Sequence, residues 1–161
     1  MKVAGDLRIL PFELGDLDGV MAIEPRVFSI PWSRQSYEEL LRLDTVVVRV
    51  AKRGTKLVGY TLFQWWGDEL ELHTIGVEPE EQRLGIGSRL MDDLIAYARE
   101  QRVARIFLLV RSSNTAAKAL YERYHFDTIA TRPHYYQDNH EDALVMRRDV
   151  CPFIDNEAEI S

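Results

Sequence analysis

The sequence is short of cysteine and of long apolar runs. Cys151 is the single cysteine among 161 residues, so no disulfide can form within one chain, as is usual in reducing compartments. No apolar stretch reaches the roughly 20 residues that a helix needs to cross a bilayer. The N-terminal segment carries Lys2, Asp6 and Arg8 and lacks the apolar core of a signal peptide. We therefore expect a cytoplasmic protein without a membrane partner.

Positive charge is also in deficit. Lysine and arginine together number 20 against 26 aspartates and glutamates, a net charge of −6. Broad nucleic-acid binding needs a basic face, so no nucleic-acid partner is expected, although a local basic patch for an anionic cofactor is compatible with this balance. The length suits one domain. We predict a single domain over residues 1–150, followed by an acidic, flexible C-terminal tail over residues 151–161.

Hydrophobic periodicity predicts alternating short strands and helices in the order β-α-α-β-β-β-α-β-α-β-β. The predicted strands cover residues 7–12, 45–51, 57–66, 69–77, 105–110, 126–132 and 142–148. The predicted helices cover residues 16–28, a segment from Ser33 or Ser36 through Leu41, a segment from the polar loop 78–84 to about residue 100, and residues 114–124.

The connections between these elements predict an α/β fold with a mixed sheet. Short turns join the second, third and fourth strands, which favours antiparallel pairing. The β-α-β segment between residues 69 and 110 favours a parallel, right-handed crossover. The continuous apolar run at residues 106–110 is typical of a strand that is buried on both faces. We expect a mostly antiparallel sheet with helices on both faces.

A glycine-bearing loop precedes the third predicted helix. Gly85 and Gly87 allow positive φ and a close approach of a ligand to the backbone, and the N–H groups of a helix start favour a pyrophosphate. Arg83 adds a charge-assisted donor. Two glycines alone are weak evidence, because helices often start this way. The third glycine of a dinucleotide fingerprint would fall at Leu90, and no Gly-Lys-Ser/Thr follows, so both common phosphate motifs are excluded.

Four motifs in order carry a resemblance to a known family. Residues 77–90, VEPEEQRLGIGSRL, resemble the acetyl-CoA motif Q/R-x-x-G-x-G/A of the GNAT superfamily. The segments IPWS (30–33), VRSSN (110–114) with ALYE (119–122), and YY (135–136) with EDA (141–143) resemble motifs of the bacterial ribosomal-protein-alanine, or RimI-type, acetyltransferases. The resemblance covers roughly residues 7 to 148. It implies a GNAT fold, with a seven-stranded sheet that splays between strands 4 and 5.

The resemblance implies that acetyl-CoA is the cosubstrate and that no metal is needed. The pantetheine arm would pair with the fourth strand, the glycine loop would hold the pyrophosphate, and an asparagine would bind from the opposite lip. That asparagine could also cap its helix. The implied cofactor-binding residues are Ile75, Gly76, Val77, Arg83, Leu84, Gly85, Ile86, Gly87, Ser88 and Asn114.

The resemblance also implies catalytic residues. Tyr121 matches the tyrosine that protonates the departing thiolate, although it could instead be a core aromatic. Leu109 occupies a position where related enzymes often carry a glutamate or histidine base. Glu71 matches the base of histone-type members, and strand alternation places Glu71, His73 and Ile75 on one face. His73 and a bound water stay open as alternative bases, with a packed or hydrogen-bonded histidine the more ordinary reading.

The acceptor implied by the resemblance is the N-terminal α-amine of a protein, possibly a ribosomal protein, which attacks acetyl-CoA directly through a tetrahedral intermediate. Trp32, Tyr135 and Tyr136 would line the acceptor. An alternative is a GNAT enzyme for a small-molecule amine or a lysine side chain. Leu109 also leaves a non-catalytic CoA-binding sensor or docking module open. We expect a monomer or a homodimer.

Overall fold

The computed structural model describes residues 6–150, and the predicted tail, with Cys151, lies outside the described residues. The predicted order of strands and helices is confirmed, with element ends shifted by no more than two residues where the sequence gave a bound. The strands are β1 (Leu7–Pro11), β2 (Val46–Arg53), β3 (Lys56–Trp66), β4 (Glu69–Val77), β5 (Arg105–Arg111), β6 (Asp127–Arg132) and β7 (Ala143–Asp149). The helices are α1 (Leu17–Val27), α2 (Arg34–Leu40), α3 (Ile86–Glu100) and α4 (Thr115–Arg123), with 3₁₀ turns at Leu14–Asp16 and Pro79–Glu81.

Within residues 6–150 the strands form one seven-stranded sheet in the order β1-β2-β3-β4-β5-β7-β6. The pairs β1–β2, β2–β3, β5–β7 and β6–β7 are antiparallel, and β4–β5 is parallel. The parallel ladder joins Glu69–Leu72 to Arg105–Leu108, while both strands continue beyond it. The predicted mixed, mostly antiparallel sheet is confirmed, and the short ladder agrees with the predicted splay.

The chain divides into two compact units. The first holds the chain up to Gln64 together with His73–Met91, and the second holds Trp65–Leu72 together with the chain from Asp92 onward. The divisions fall inside β3, β4 and α3 and not in a linker. The single domain over residues 1–150 stays a prediction. None of the helices within residues 6–150 has the length and apolarity of a membrane span.

The first unit packs α1 and α2 on β2 and β3. Leu17, Val20 and Ile23 recur at helical spacing on α1 and are buried against valines of β2. Helix α2 begins at Arg34 because the Ser33 hydroxyl accepts from the Ser36 N–H at 3.1 Å. Of the two predicted capping serines, Ser33 is therefore the cap.

The second unit corrects one expectation about β5. Ile106, Leu108 and Val110 are buried, but Phe107 and Leu109 between them are only half-buried. The predicted burial on both faces is wrong, because the second face of the strand lines an open cleft. An apolar run is compatible with both situations, since the wall of a cleft can be as apolar as a core.

Candidate active site

The loop between β4 and α3 has the backbone conformation that its glycines suggested, with one correction. Arg83 has φ of +68° and Gly85 has φ of +83°. A Cβ at Gly85 would meet no atom within 4 Å, so there is room for a side chain. Glycine is favoured at this position by the positive φ and not by close packing. The expectation of positive φ at Gly87 is wrong, because helix α3 begins at Ile86 and already includes that residue.

Two buried glutamates attach this loop to α1 and β2 through ion pairs. Glu78 forms an ion pair with Arg26, and its N–H donates to the Val58 carbonyl at 2.8 Å. Glu81 pairs with Arg53 at 3.1 Å. Both carboxylates are buried, and a buried charge persists only when it is paired. The sequence had suggested only a polar loop here, and nothing local distinguishes these glutamates from the exposed Glu80 beside them.

The start of α3 is able to bind an anion. Gly85 O accepts from the Arg89 N–H at 3.0 Å, whereas the earlier N–H groups of the first turn have no intrahelical partner by geometry. Such groups, together with the helix dipole, favour phosphate. Arg83, Leu84 and Gly85 are exposed. The residues of this loop therefore fit a diphosphate group.

The end of β4 leading into this loop is closely packed on one side. A Cβ at Gly76 would lie 2.6 Å from Cζ of Tyr60, so the Tyr60 ring occupies the space of a side chain there. Ile75 and Val77 on either side are half-buried. Glycine at position 76 thus lets the buried ring lie directly against the strand that is predicted to receive the pantetheine arm.

Sequence reasoning missed Glu24. Its carboxylate is only 2% exposed and accepts three hydrogen bonds. The Trp32 N–H donates to Oε2 at 2.9 Å, the Tyr37 hydroxyl donates to Oε1 at 2.8 Å, and the Tyr60 hydroxyl donates to the same oxygen. Burial, together with the Glu24 charge, raises the pKa of both tyrosines well above the usual value. The available signal was a glutamate on the apolar face of α1, one turn after Val20.

Trp32 and His73 belong to the first unit. The Trp32 ring lies 5.5 Å from the ring of Tyr37 and 6.1 Å from that of His73, measured between centroids. Trp32 also lines a cleft of about 400 Å³ with residues of α2 and Leu43. His73 Nε2 lies 2.9 Å from Gln64 Oε1, so the more ordinary reading, a hydrogen-bonded histidine, describes it well.

The second unit contains a cleft of about 410 Å³ that includes the candidate base. Glu71 faces this cleft, and its Oε1 accepts from Trp66 Nε1 at 3.2 Å. Glu71 is opposite Phe107 in the parallel ladder, and Leu109 is the next residue on that face of β5. The structure therefore brings together Glu71, the substituted position Leu109 and the predicted acceptor residue Tyr135. The lining residues are Trp66, Glu69, Glu71, Phe107, Leu108, Leu109, Arg132, Tyr135 and Val145.

Tyr121 on α4 is buried without a polar partner. Its side chain is 6% exposed, and its ring packs against Phe126 with 5.9 Å between centroids. Within residues 6–150 its hydroxyl makes no hydrogen bond. The pKa of Tyr121 is raised, mainly by burial and to a smaller extent by the nearby Tyr136. The phenol consequently keeps its proton at neutral pH and has its hydrogen-bonding capacity available.

The loop before β7 presents the two predicted acceptor tyrosines. Tyr135 and Tyr136 meet edge to face with 5.1 Å between ring centroids, and Tyr135 is exposed. The Arg111 guanidinium lies 3.9 Å from the centroid of Tyr136. Arg111 also forms two parallel hydrogen bonds of 3.0 Å to Asp138 in the same loop. This bidentate pair and the cation–π contact fix the loop on the end of β5.

The remaining motif residues join the same arrangement. Glu141 accepts hydrogen bonds from Ser112 and from the Ser113 N–H, and the bonds from Ser113 lower its pKa to about 2. Asn114 Oδ1 accepts from the Ala117 N–H at 3.1 Å, which makes it the cap of α4. Its cofactor contact stays a prediction. Within residues 6–150, no group of three or more potential ligands is arranged to hold a metal ion.

Comparisons with known proteins bear on both units. Residues 17–126 match the profile of the family described as "Acetyltransferase (GNAT) family". The [ribosomal protein bS18]-alanine N-acetyltransferase of Escherichia coli is 34% identical over 140 residues, covering 86% of this chain and 94% of that protein. N-alpha-acetyltransferase RimI of Mycobacterium tuberculosis is 42% identical over 123 residues, 74% and 76% of the two chains. The crystal structure of the ribosomal-protein-S18-alanine N-acetyltransferase from Escherichia coli matches with a TM-score of 0.85 at 32% identity, covering 89% and 94%.

Proposed function

The chain belongs to the GNAT acetyltransferase family and is an acetyl-CoA-dependent N-acetyltransferase, and on this premise we propose that it acetylates the N-terminal α-amine of a protein. A ribosomal protein is the first acceptor to test, because relatives of 34% identity act on bS18 by name. The observation that carries the proposal is the cleft that combines Glu71 with Tyr135. A carboxylate beside an aromatic loop suits an ammonium group at the end of a peptide.

The first unit supplies the proposed diphosphate site. The residues from Arg83 to Ser88 would bind the diphosphate of acetyl-CoA through backbone N–H groups, with Arg83 as an exposed cation. Ile75, Gly76 and Val77 would offer backbone groups to the pantetheine amides. Asn114 is a further proposed cofactor-binding residue. Acetyl-CoA supplies the activated acetyl group as a thioester.

The second unit supplies the proposed proton transfers. The α-amine attacks the thioester carbonyl as its free base, the new C–N bond forms, and the C–S bond breaks. Glu71 accepts the proton that the amine loses, directly or through a water. Tyr121 donates a proton to the departing thiolate. Its raised pKa keeps this proton in place at neutral pH.

A single carboxylate suits an α-amine better than a lysine. An α-amine has a pKa near 8, so roughly a tenth of it is already neutral at pH 7. A lysine side chain has a pKa near 10.4, and freeing its amine costs about 3 kcal/mol more. Glu71 is the only carboxylate that the assignment uses for this step, since Glu69 beside it pairs with Arg105 at 3.0 Å.

The wider assignments are proposals as well. We propose that residues 1–150 act as one domain, which is supported by strands and a helix that run through both units. A cytoplasmic location is supported by the lone cysteine and by the ribosomal acceptor in the names of relatives. All assigned residues come from one chain, so a monomer or a homodimer would suffice.

A panel of matched peptides tests the acceptor. Each peptide contains one internal lysine and is offered with a free and with an acetylated N-terminus, in the presence of acetyl-CoA. Mass spectrometry locates the added acetyl group. We expect modification of the free α-amine only, with small first residues such as alanine favoured by resemblance. Acetylation of the internal lysine on the blocked peptides would replace the α-amine proposal with the side-chain alternative.

A further inference from the structure

The buried carboxylate of Glu24 accepts hydrogen bonds from three segments of the first unit, namely the α1–α2 connection, α2 and β3. Its Oε2 accepts from the N–H of Trp32, in the segment between α1 and α2. Its Oε1 accepts from the hydroxyls of Tyr37 on α2 and Tyr60 on β3. The side chain comes from α1, so four elements or connections meet at one carboxyl group.

The donor pattern requires a carboxylate. All three partners donate hydrogen bonds, and they are divided between the two oxygens. A carboxylate accepts at both oxygens, whereas a glutamine side chain has one oxygen and one NH₂ group. Glutamine at position 24 would therefore satisfy either Trp32 or the tyrosine pair. The other side would face a buried donor without a partner, which costs free energy.

Tyr60 extends this arrangement to β4. Its hydroxyl is held by Glu24, so its ring cannot shift without breaking a buried hydrogen bond. The ring lies where a side chain of Gly76 would be. The position of the backbone at Gly76 therefore depends on the position of Tyr60.

Trp32 extends the arrangement in the other direction. Its backbone is held by Glu24, and its ring packs beside Tyr37 and His73. The ring also forms one wall of the cleft with α2. Pro31 precedes Trp32 and the capping Ser33 follows it, and the Trp32 N–H binds this segment to the Glu24 carboxylate of α1.

We propose that Glu24 is a positioning residue that fixes the Trp32 segment and the Gly76 backbone in one arrangement, so that acceptor binding and acetyl-CoA binding depend on the same carboxylate. The inference rests on the proposed function for the roles of Trp32 and Gly76. Glu24 itself is too deeply buried to contact either substrate, so it acts through its three donors.

Three variants separate the two connections. Glu24→Gln breaks one set of bonds, Tyr60→Phe removes the connection to β4 alone, and Glu38→Gln alters an exposed carboxylate of α2 as the control. Hydrogen exchange reports on the Trp32 amide, calorimetry gives the Kd of acetyl-CoA, and steady-state kinetics gives the peptide KM and kcat. The exchange and calorimetric measurements need no acceptor, so they remain informative if the wild-type protein acetylates no peptide, the result that would contradict the proposed function.

We expect Glu24→Gln to lose one of the two connections. With its NH₂ group toward Trp32, exchange at Trp32 and the peptide KM rise by about tenfold, with a smaller change in kcat; with its NH₂ group toward the tyrosines, the Kd of acetyl-CoA rises by about threefold. Tyr60→Phe should raise the Kd of acetyl-CoA by about threefold or more and leave exchange at Trp32 unchanged. Glu38→Gln should match the wild type. A Glu24→Gln variant that melts earlier but keeps wild-type exchange, KM and Kd would overturn the proposal, since Glu24 would then serve stability alone. If Glu24→Gln does not fold, an unchanged Kd in folded Tyr60→Phe overturns it.

Discussion

The surroundings of Glu24 and those of Glu71 show two ways in which one fold uses a carboxylate. Glu24 is buried and has a donor for each of its oxygens. Glu71 is half-buried, faces a cleft of about 410 Å³ and accepts from an exposed indole. A carboxylate whose acceptor sites are taken by buried donors holds structure in place. A carboxylate at an open cleft can still exchange a proton with a substrate.

Buried tyrosines repeat the contrast. The hydroxyls of Tyr37 and Tyr60 are both engaged by Glu24. Tyr121 is about as inaccessible, yet its hydroxyl has no hydrogen bond within residues 6–150. Its oxygen is not among the fully enclosed polar atoms that lack a partner within residues 6–150, so the hydroxyl can meet a substrate, which fits a role in chemistry. The comparison therefore predicts opposite consequences for the same Tyr→Phe change in the two regions.

The largest effect should come from Tyr121→Phe. The ring and its packing against Phe126 are kept, while the proposed proton donor is lost. We expect kcat to fall by about 100-fold or more with little change in KM, and the melting temperature to stay unchanged or rise. In the wild type, the pKa of Tyr121 is raised above its usual value near 10. We therefore expect no fall in kcat from deprotonation of Tyr121 at any pH up to about 10. If the folded variant keeps the kcat of the wild type, Tyr121 is a core aromatic residue and not the proton donor.

Glu71→Gln should have the next largest effect. The change keeps size and removes basicity, so kcat/KM at pH 7 should fall by about 100-fold. The loss should shrink above pH about 8, where the α-amine arrives neutral. Leu109→Glu in the Glu71→Gln background restores a carboxylate to the same cleft and should recover activity. Full activity of Glu71→Gln over this pH range would transfer the role to His73 or a bound water.

Gly85→Val tests the proposed role of the backbone at Gly85 in binding the diphosphate of acetyl-CoA. Gly85 has a positive φ that valine adopts only with strain, although its surroundings leave room for a side chain. We expect at least a tenfold weaker affinity for acetyl-CoA, or about 1.4 kcal/mol. Gly87→Val, inside the first turn of α3, is the comparison for a glycine in helical conformation, and a similar loss is expected if its backbone contacts the diphosphate. Calorimetry with folded variants decides, and unchanged affinity for both contradicts the phosphate-loop assignment.

The smallest effect on activity should come from Tyr37→Phe. This variant removes one of the donors to Glu24 and leaves Tyr60 and Trp32 in place to satisfy both oxygens. We expect a loss of about 1.5–3 kcal/mol in the free energy of unfolding, typical of a hydrogen bond to a charged group, with kcat nearly unchanged. Chemical denaturation measures the first quantity. A large fall in kcat without loss of stability would break the distinction between the two kinds of tyrosine.

The sequence predicted the fold well because its signals are local. The period of β4 placed Glu71, His73 and Ile75 on one face, and the burial pattern of the strand agrees. Strand β5 was the exception. An uninterrupted apolar run does not say whether its second face meets a helix or an open cleft, and only the three-dimensional arrangement of Tyr135 and Val145 decides that.

The residues of the candidate site likewise fall into those with a local sequence signal and those without one. Motif residues such as Gly85, Asn114 and Tyr121 were available from local patterns. Glu24 was not, because its partners Tyr37 and Tyr60 are 13 and 36 residues away in the chain. A glutamate on an apolar helical face indicates a buried partner, but it does not identify that partner. The ion pairs of Glu78 and Glu81 escaped prediction for the same reason.

The shared cleft of Glu71 and Leu109 has a consequence for the evolution of such enzymes. Two neighbouring strands that face one volume allow a basic group to move from one strand to the other without a change in the acceptor's surroundings. Under the proposed assignment, the base is then a property of the cleft and not of a single column in an alignment. A survey that scores homologues by the residue before Val-Arg would classify this chain as inactive, whereas one that scores the charge of the whole cleft would retain it.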